Sequence, residues 1–519
     1  MADINEHEPL NSRVFINRKQ YFGKLENDVL SWCRCRTHGI NSEQSHSLNI
    51  KRVITIKPCE SMYESQQKDI EMNILNEENK ITSFCLHVVA KKDNLKWHHR
   101  KAVFTFPSAV EGTKWFKRIE DLLKGYNRPK KLLVFVNPYG GRRQAPRIFQ
   151  NKVRPLFNLA EIEYDFIETE RANHAKDHIM NEDTDLNQYD GIISIGGDGM
   201  FSEILNGILM RHNPAVFPSS HFMPKKSPIK LGIIPAGSTD CVCFCTTGTI
   251  DVITSTLQII TNESQPLDIS SLHNTKGELL RYSMSFAGYG FFGDVVKDSE
   301  SLRWVGVKRY DISGAKMFMR NRSYEGELCY LTSSDTVGNP RDNMKCRKGC
   351  TVCFPSSSTT HGDILTAQSN GWHSITGHFI SIMGATNCCA NKKSPEGISP
   401  SAHLADGCID LIIVRRTSRV RYLQHMMRLA GKADHMDFDF VEVHRVKEFS
   451  FRPLPVMAGD KAIESDIAQS NSMQHSVWNV DGEIIDEPAI HIRVHRKLVK
   501  LFASGIEYRD TKCKWFGCK

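Results

Sequence analysis

Between Tyr189 and Met210 the chain reads YDGIISIGGDGMFSEILNGILM. An apolar run that ends in closely spaced glycines around one aspartate, followed by apolar residues at helical spacing, predicts a buried strand turning into a helix. Glycine lacks a Cβ, so the turn clears space for a ligand beside the Asp198 carboxylate. The same alternation surrounds it: LLVFVNP, IEYDFIET and IKLGIIPAG read as strands, and PRIFQNKVRPLFNLA and ANHAKDHIM as helices. Strands alternating with helices predict a doubly wound parallel α/β sheet, which binds ligands outside the carboxyl ends of its strands. VNPYGGRR, TERAN, GGDG and IPAGSTD all fall at such ends. Backbone N–H groups at a strand-to-helix turn suit phosphate. One such turn alone reads equally well as plain structure; four together point to a site.

The flanks follow different periods. From about residue 13 to 106 short alternating segments (RVFIN, VLSWCRCR, LNIKRVITIK, ITSFCLHVVAK, RKAVFTF) precede SAVEGTKWFKRIEDLLKGY, in which Val110, Trp115, Ile119, Leu122 and Leu123 share a helical face. Antiparallel strands capped by one helix with a buried Trp resemble a pleckstrin-homology domain; a generic small β-barrel is the alternative. Beyond about residue 265 period-two strands dominate and predict a β-sandwich-like lobe. Polar stretches at 334–372 and 454–474 read as long loops. The resulting division is 1–126, 127–265 and 266–519.

The chain has 519 residues, 40% hydrophobic and 24% charged, which favours folded domains. Its net charge of +8 permits phosphate-bearing partners without choosing among them, and no nucleic-acid-binding module is recognisable. No apolar run reaches the roughly 18 residues needed to span a bilayer, and the amino terminus lacks a signal-like pattern. The 16 cysteines then read as reduced thiols. A cytoplasmic protein reaching membranes peripherally is expected.

NPYGG, TERANHA, GGDGMFSEILNGI, PAGST, GYGFFGD, ADGCIDL and VDGE, in this order, resemble the lipid kinases that act on diacylglycerol, sphingosine and ceramide. GGDGM, GSTDCVC and KDSESLRW, with the pleckstrin-like amino terminus, are most similar to the ceramide-phosphorylating branch. The resemblance implies a two-lobed catalytic unit using ATP and Mg2+, with ceramide as acceptor and the Golgi or plasma membrane as its place of action. It implies Asp198 as the base that takes the acceptor proton, within a substrate site of Gly196, Gly197, Asp198, Gly199, Asp294 and Val296. It assigns the nucleotide to Asn137, Pro138, Tyr139, Gly140, Gly141, Thr169, Glu170, Arg171, Ala172, Asn173, Glu203, Gly237, Ser238 and Thr239. Arg303 and Arg309 would meet phosphates, and Asp481, Gly482 and Glu483 would return from the second lobe. Asp406 and Asp410 would organise Mg2+ or merely start a strand. Sphingosine kinases carry an aspartate at the position of Val296, where it meets an ammonium group; valine there favours an N-acylated lipid.

Other stretches add expectations. The phosphate loop continues GGRRQAP, with Arg143 and Ala145 where the family has glycine, so a different loop path is expected. Cys346, Cys350 and Cys353 in CRKGCTVC suit Zn2+ if Cys388, Cys389 or His361 supplies a fourth ligand; local packing of thiols is the alternative. RRTSRVRYLQHMMRLA, with Val420, Leu423, Met426, Met427 and Leu429 clustered toward one side, suits calmodulin with Ca2+ as regulator, a lipid surface, or an ordinary surface helix. KWHHRK (96–101) suits phosphoinositide head groups or solvated strand ends.

Overall fold

The structure, a computed structural model, describes residues 8–36, 39–59, 81–92, 95–141, 143–214, 222–332, 339–355, 371–392, 394–431, 434–455 and 475–507. Most of the two polar stretches, together with His361, lies outside the described residues.

The amino-terminal unit is a seven-stranded antiparallel sheet followed by the helix Ala109–Gly125. LNIKRVITIK is broken by a 3-10 turn at Ile50–Arg52, so it ends one strand and begins the next. Ser108 caps the helix by accepting the Glu111 N–H at 3.3 Å. Trp115 and Ile119 are buried, and the Trp115 indole donates to Ser12 Oγ at 3.2 Å. Val110 is 80% exposed, contrary to the sequence reading: it sits in the first turn, where the helix overhangs its sheet, and Gly112 takes the close contact against the Ile81 carbonyl.

The α/β lobe has the parallel order Glu163–Glu168, Lys131–Val136, Gly191–Gly196, Lys230–Pro235. The first strand in sequence is flanked by the next two on opposite sides, so a crevice opens at the carboxyl ends of Lys131–Val136 and Gly191–Gly196. Leu132, Val134, Ile193, Ile195 and Ile234 form one core face with Phe149 and Phe157; Leu133, Phe135, Ile192, Leu231 and Ile233 form the other with Phe201, Leu205 and Leu209. Burial on both faces accounts for the continuous apolar runs.

The second lobe is antiparallel, built on Tyr289, Phe379, Phe449, Phe451 and Trp478. One of its strands, Ile490–Leu501, pairs antiparallel with Gln265–Asn274 and Val441–Pro453, then meets Lys230–Pro235 in parallel at Leu501 and Leu231. Both lobes thereby lie on one hydrogen-bonded path. The amino-terminal unit docks on the α/β lobe through Trp97, whose N–H donates to Thr254 Oγ1 at 2.9 Å, and through Arg128, which donates to the Ile54 carbonyl at 2.9 Å. KWHHRK is therefore not a solvated strand end throughout: Trp97 is 5% exposed against the α/β lobe, and His99 stacks on His87. Among the described residues no single helix is long and apolar enough to cross a membrane. The bent pair Cys241–Thr247 and Val252–Ile260 passes by composition but is packed into the core.

Candidate active site

At the carboxyl ends of the parallel strands the glycine turns touch backbone to backbone. Asn137 Oδ1 accepts the N–H groups of Tyr139 (2.9 Å) and Gly140 (3.0 Å), and the Asn137 N–H donates to the Ile195 carbonyl at 3.1 Å. A Cβ on Gly141 would lie 2.6 Å from the Ala236 carbonyl oxygen, and one on Gly237 would lie 2.5 Å from the Gly197 Cα. Only glycine permits that approach. Tyr139, Ser238 and Thr239 are exposed on the rim, and Pro138 is half-buried. Arg143 has φ +56°, and its N–H donates to the Gly140 carbonyl at 3.0 Å. The loop makes a left-handed turn there and carries the cost of a side chain in it, about 1–2 kcal/mol.

Asp198 opens the helix Asp198–His212. Its two carboxylate oxygens accept the N–H groups of Cys241 (2.9 Å) and Val242 (3.0 Å), at the start of Cys241–Thr247. The residue is half-buried with Gly197, while Gly199 is exposed and has open space at its Cβ position. Burial, with the neighbouring Cys241 sulfur, pushes its carboxyl up to about 7, against the two N–H groups that favour the ion. A carboxylate so raised is a stronger base than a solvated one. Asp240 folds back to accept the Gly237 N–H at 3.0 Å, and burial lifts it to about 6.

A charged pole stands beside this corner. Ser202, one helical turn after Asp198, accepts from Arg281 Nη2 at 2.9 Å, and Arg281 Nη1 pairs with Glu483. Glu203 accepts backbone N–H groups of Asn173 and Ala175, and burial with the nearby Glu483 charge raises its carboxyl. Asn173 has φ +61° and begins the helix His174–Met180; Thr169 is buried with its N–H on the Val136 carbonyl at 2.9 Å. Glu170 donates its N–H to His174 Nδ1 at 3.0 Å, and Arg171, beside Ala172, pairs with Asp177 at 2.6 Å. Asp481 collects the N–H groups of Met284, Ser285 and Phe286 at 2.9, 3.1 and 3.0 Å. It thus shapes the turn after Leu279–Ser283, while Gly482 and Glu483 reach outward.

Other sequence-derived residues sit differently. Arg303 and Arg309 both gather on Glu300, the latter stacked 4.7 Å over the Tyr310 ring. Asp294 accepts from the Tyr324 hydroxyl (2.5 Å) and Ser476 Oγ (2.7 Å), and Val296 on the same helix is 5% exposed. Asp410 does not offer an open coordination position: it is buried, receiving Arg445 Nε at 2.8 Å and Nη2 at 3.3 Å and Ser399 Oγ at 2.5 Å. Asp406 accepts the Cys408 N–H at 3.0 Å, and burial lifts its carboxyl to about 6. A cavity of about 230 Å³ lies behind the cysteine helix, lined by Phe244, Cys245, Cys346 and Cys388, none of them a residue of the glycine turns.

On the helix Arg419–Ala430 the apolar residues divide. Leu429 is buried with Tyr422 and His425, and Met426 packs on the core, whereas Val420, Leu423 and Met427 face outward. Arg281 and Asp240 are the participants that the motifs did not reveal. An arginine inside the strand LRYS was the visible signal for the first; nothing in GSTDC separated the second from a helix cap.

Three family models match consecutive stretches: a ceramide kinase PH domain over 10–119, a diacylglycerol kinase catalytic domain over 131–272 and a ceramide kinase C-terminal domain over 285–518. A Homo sapiens protein named ceramide kinase is 38% identical, covering 98% of both chains. The Mus musculus ceramide kinase is 38% identical, covering 98% of this chain and 99% of its own. One from Arabidopsis thaliana is 31% identical and covers 78% of each.

Proposed function

The chain belongs to the ceramide kinase family, and from that premise we propose that it transfers the γ-phosphoryl group of ATP to the primary hydroxyl of ceramide. The hydroxyl oxygen forms the new bond to phosphorus, the bond from phosphorus to the β-γ bridging oxygen breaks, and ADP and ceramide 1-phosphate leave. The observation that carries the reading is Asp198, with a carboxyl raised to about 7 at the junction of glycine turns that admit no side chain. Asp198 receives the hydroxyl proton as the loose transition state collapses, and positioning supplies most of the acceleration.

The turns fit a polyphosphate: a Cβ at Gly141 or Gly237 would fill the cradle, and the Arg281 Nε is buried without a partner among the described residues. Glu203 and Glu483 would hold Mg2+, which when bound would neutralise phosphate charge. Asp481 keeps the supporting turn in shape. Arg303 and Arg309 would reach phosphate only by leaving Glu300. Asp406 and Asp410 are assigned to the structure of the second lobe.

Val296 gives an ammonium group no counter-charge, which favours the neutral amide of ceramide over sphingosine. Lys57 and Lys101, which add their charge to the burial that lowers His87, suit a phosphoinositide surface. Val420, Leu423 and Met427, interleaved with Arg419, Arg421 and Arg428, suit Ca2+-loaded calmodulin. The three-part division at about 126 and 265 is kept, with the amino-terminal unit as the membrane-recruiting part.

Purified protein incubated with labelled ATP and micelles of ceramide, sphingosine or diacylglycerol tests the assignment. Label in ceramide above both others is expected. Transfer to none would leave a membrane adaptor and overturn it.

A further inference from the structure

We infer that Cys346, Cys350, Cys353 and His403 hold one zinc ion in a closed site that straps the 339–355 segment across the two lobes. The ligand atoms of these four residues lie within 4.8 Å of one another, the one such group found among the described residues. Cys346 Sγ is 3.7 Å from Cys353 Sγ, and Cys350 Sγ is 3.2 Å from His403 Nδ1. Thiolates about 2.3 Å from a tetrahedral zinc stand about 3.8 Å apart. A disulfide needs about 2.05 Å between sulfurs and would not bring four ligands to a point. Three sulfurs and one imidazole with no open position fit structural zinc and not a hard cation.

The backbone is shaped for this convergence. Gly349 has φ +73°, the Cys350 N–H donates to Arg347, and the Phe354 N–H returns to the Cys350 carbonyl at 2.9 Å. Cys350 and Cys353 are thereby presented from one tight turn. His403 and Cys353 are 2% and 0% exposed, and Cys346 and Cys350 are half-buried, so two of the four ligands lie inside the fold and two at its margin. Cys388 and Cys389, the fourth ligands expected from sequence, belong elsewhere: Cys388 Sγ is 3.3 Å from Cys245, which is 3.9 Å from Cys241. Those thiols form a string, not a convergent set.

The position gives the metal its role. The segment is also held by Lys348 to Glu263 and Glu507, by Lys345 to Glu396, by Arg341 to Asp434 and Asp437, by the Lys348 N–H on the Ile506 carbonyl at 2.8 Å and by buried Val352. Exposed ion pairs of this kind contribute little. His403 lies in the loop that leads to Asp406 and to the strand Ile409–Arg415, so zinc fixes that loop to the segment. On binding, three thiols lose three protons, and Lys345, Arg347 and Lys348 flank the resulting negative charge.

Metal analysis of the full chain, purified under reducing conditions without chelator, tests the inference independently of any kinase assay. About one zinc per chain is expected. His403→Cys should keep it, His403→Ala and Cys350→Ser should lose it, and Cys388→Ser should be unchanged. Stripping the metal should lower Tm, and returning zinc should restore it. Less than about a tenth of an equivalent in the unmutated chain would overturn the site; loss of zinc in Cys388→Ser with retention in His403→Ala would overturn the ligand assignment; an unchanged Tm after stripping would overturn the strapping role.

Discussion

Two aspartates, Asp198 and Asp410, stand near the ends of buried strands and meet opposite fates. Asp410 is enclosed, with Arg445 gripping both carboxylate oxygens and Ser399 donating to one of them. Asp198 has two backbone N–H groups and no cation, and its neighbours are glycines. A carboxylate paired with a guanidinium holds a fold together, whereas one that is buried without a cation is raised in pKa by desolvation and is the better proton acceptor. Local sequence differs in one respect that matters: Asp198 stands between Gly197 and Gly199, whereas Asp410 stands between Ile409 and Leu411 inside its strand.

That contrast can be broken in order of expected effect. Asp198→Asn should lower kcat about a hundred- to ten-thousandfold while leaving the unfolding transition intact; near-normal turnover would make the two aspartates equivalent. Asp410→Ala should act on stability, by about 3–5 kcal/mol, because it strands a buried guanidinium. Chemical denaturation reads that loss, and catalysis by the surviving folded fraction should stay close to normal. Gly237→Ala should raise KM for ATP and cost about 1–3 kcal/mol of stability, since its methyl meets the Gly197 backbone; nucleotide titration and melting separate the two effects.

The pH dependence sharpens the comparison further. A base with its carboxyl at about 7 is lost as pH falls, so kcat/KM should decline below about pH 7 and level off above it. For stability the sign is opposite. The folded state holds the Asp198 proton more tightly than the unfolded chain, so ionising it between about pH 4 and 7 works against folding. Asp198→Asn should therefore melt no lower, and slightly higher, than the parent at pH 8. Glu483→Gln should produce the smallest change, a modest weakening of Mg2+ dependence seen by metal titration.

Much of the corner was legible because each turn is contiguous in sequence and needs glycine at fixed places: Gly140, Gly141, Gly197 and Gly237 announce themselves. The alternation of strands and helices carried the α/β lobe for the same reason. What could not be read depends on distant segments meeting. Arg281 matters only because its strand passes over Ser202 and Glu483. Val110 satisfies the helical period yet overhangs the sheet, and the period does not say where the sheet ends. His403 lies 50 residues beyond its nearest cysteine partner, so spacing alone did not choose it.

The strand Ile490–Leu501 has a consequence for synthesis. As the nascent chain emerges, Lys230–Pro235 is made some 260 residues before the segment that meets its free edge at Leu231. The α/β lobe must wait, with that border bare, until nearly all of the polypeptide has left the ribosome. Premature termination anywhere upstream of residue 490 would then damage the half that had already been translated in full.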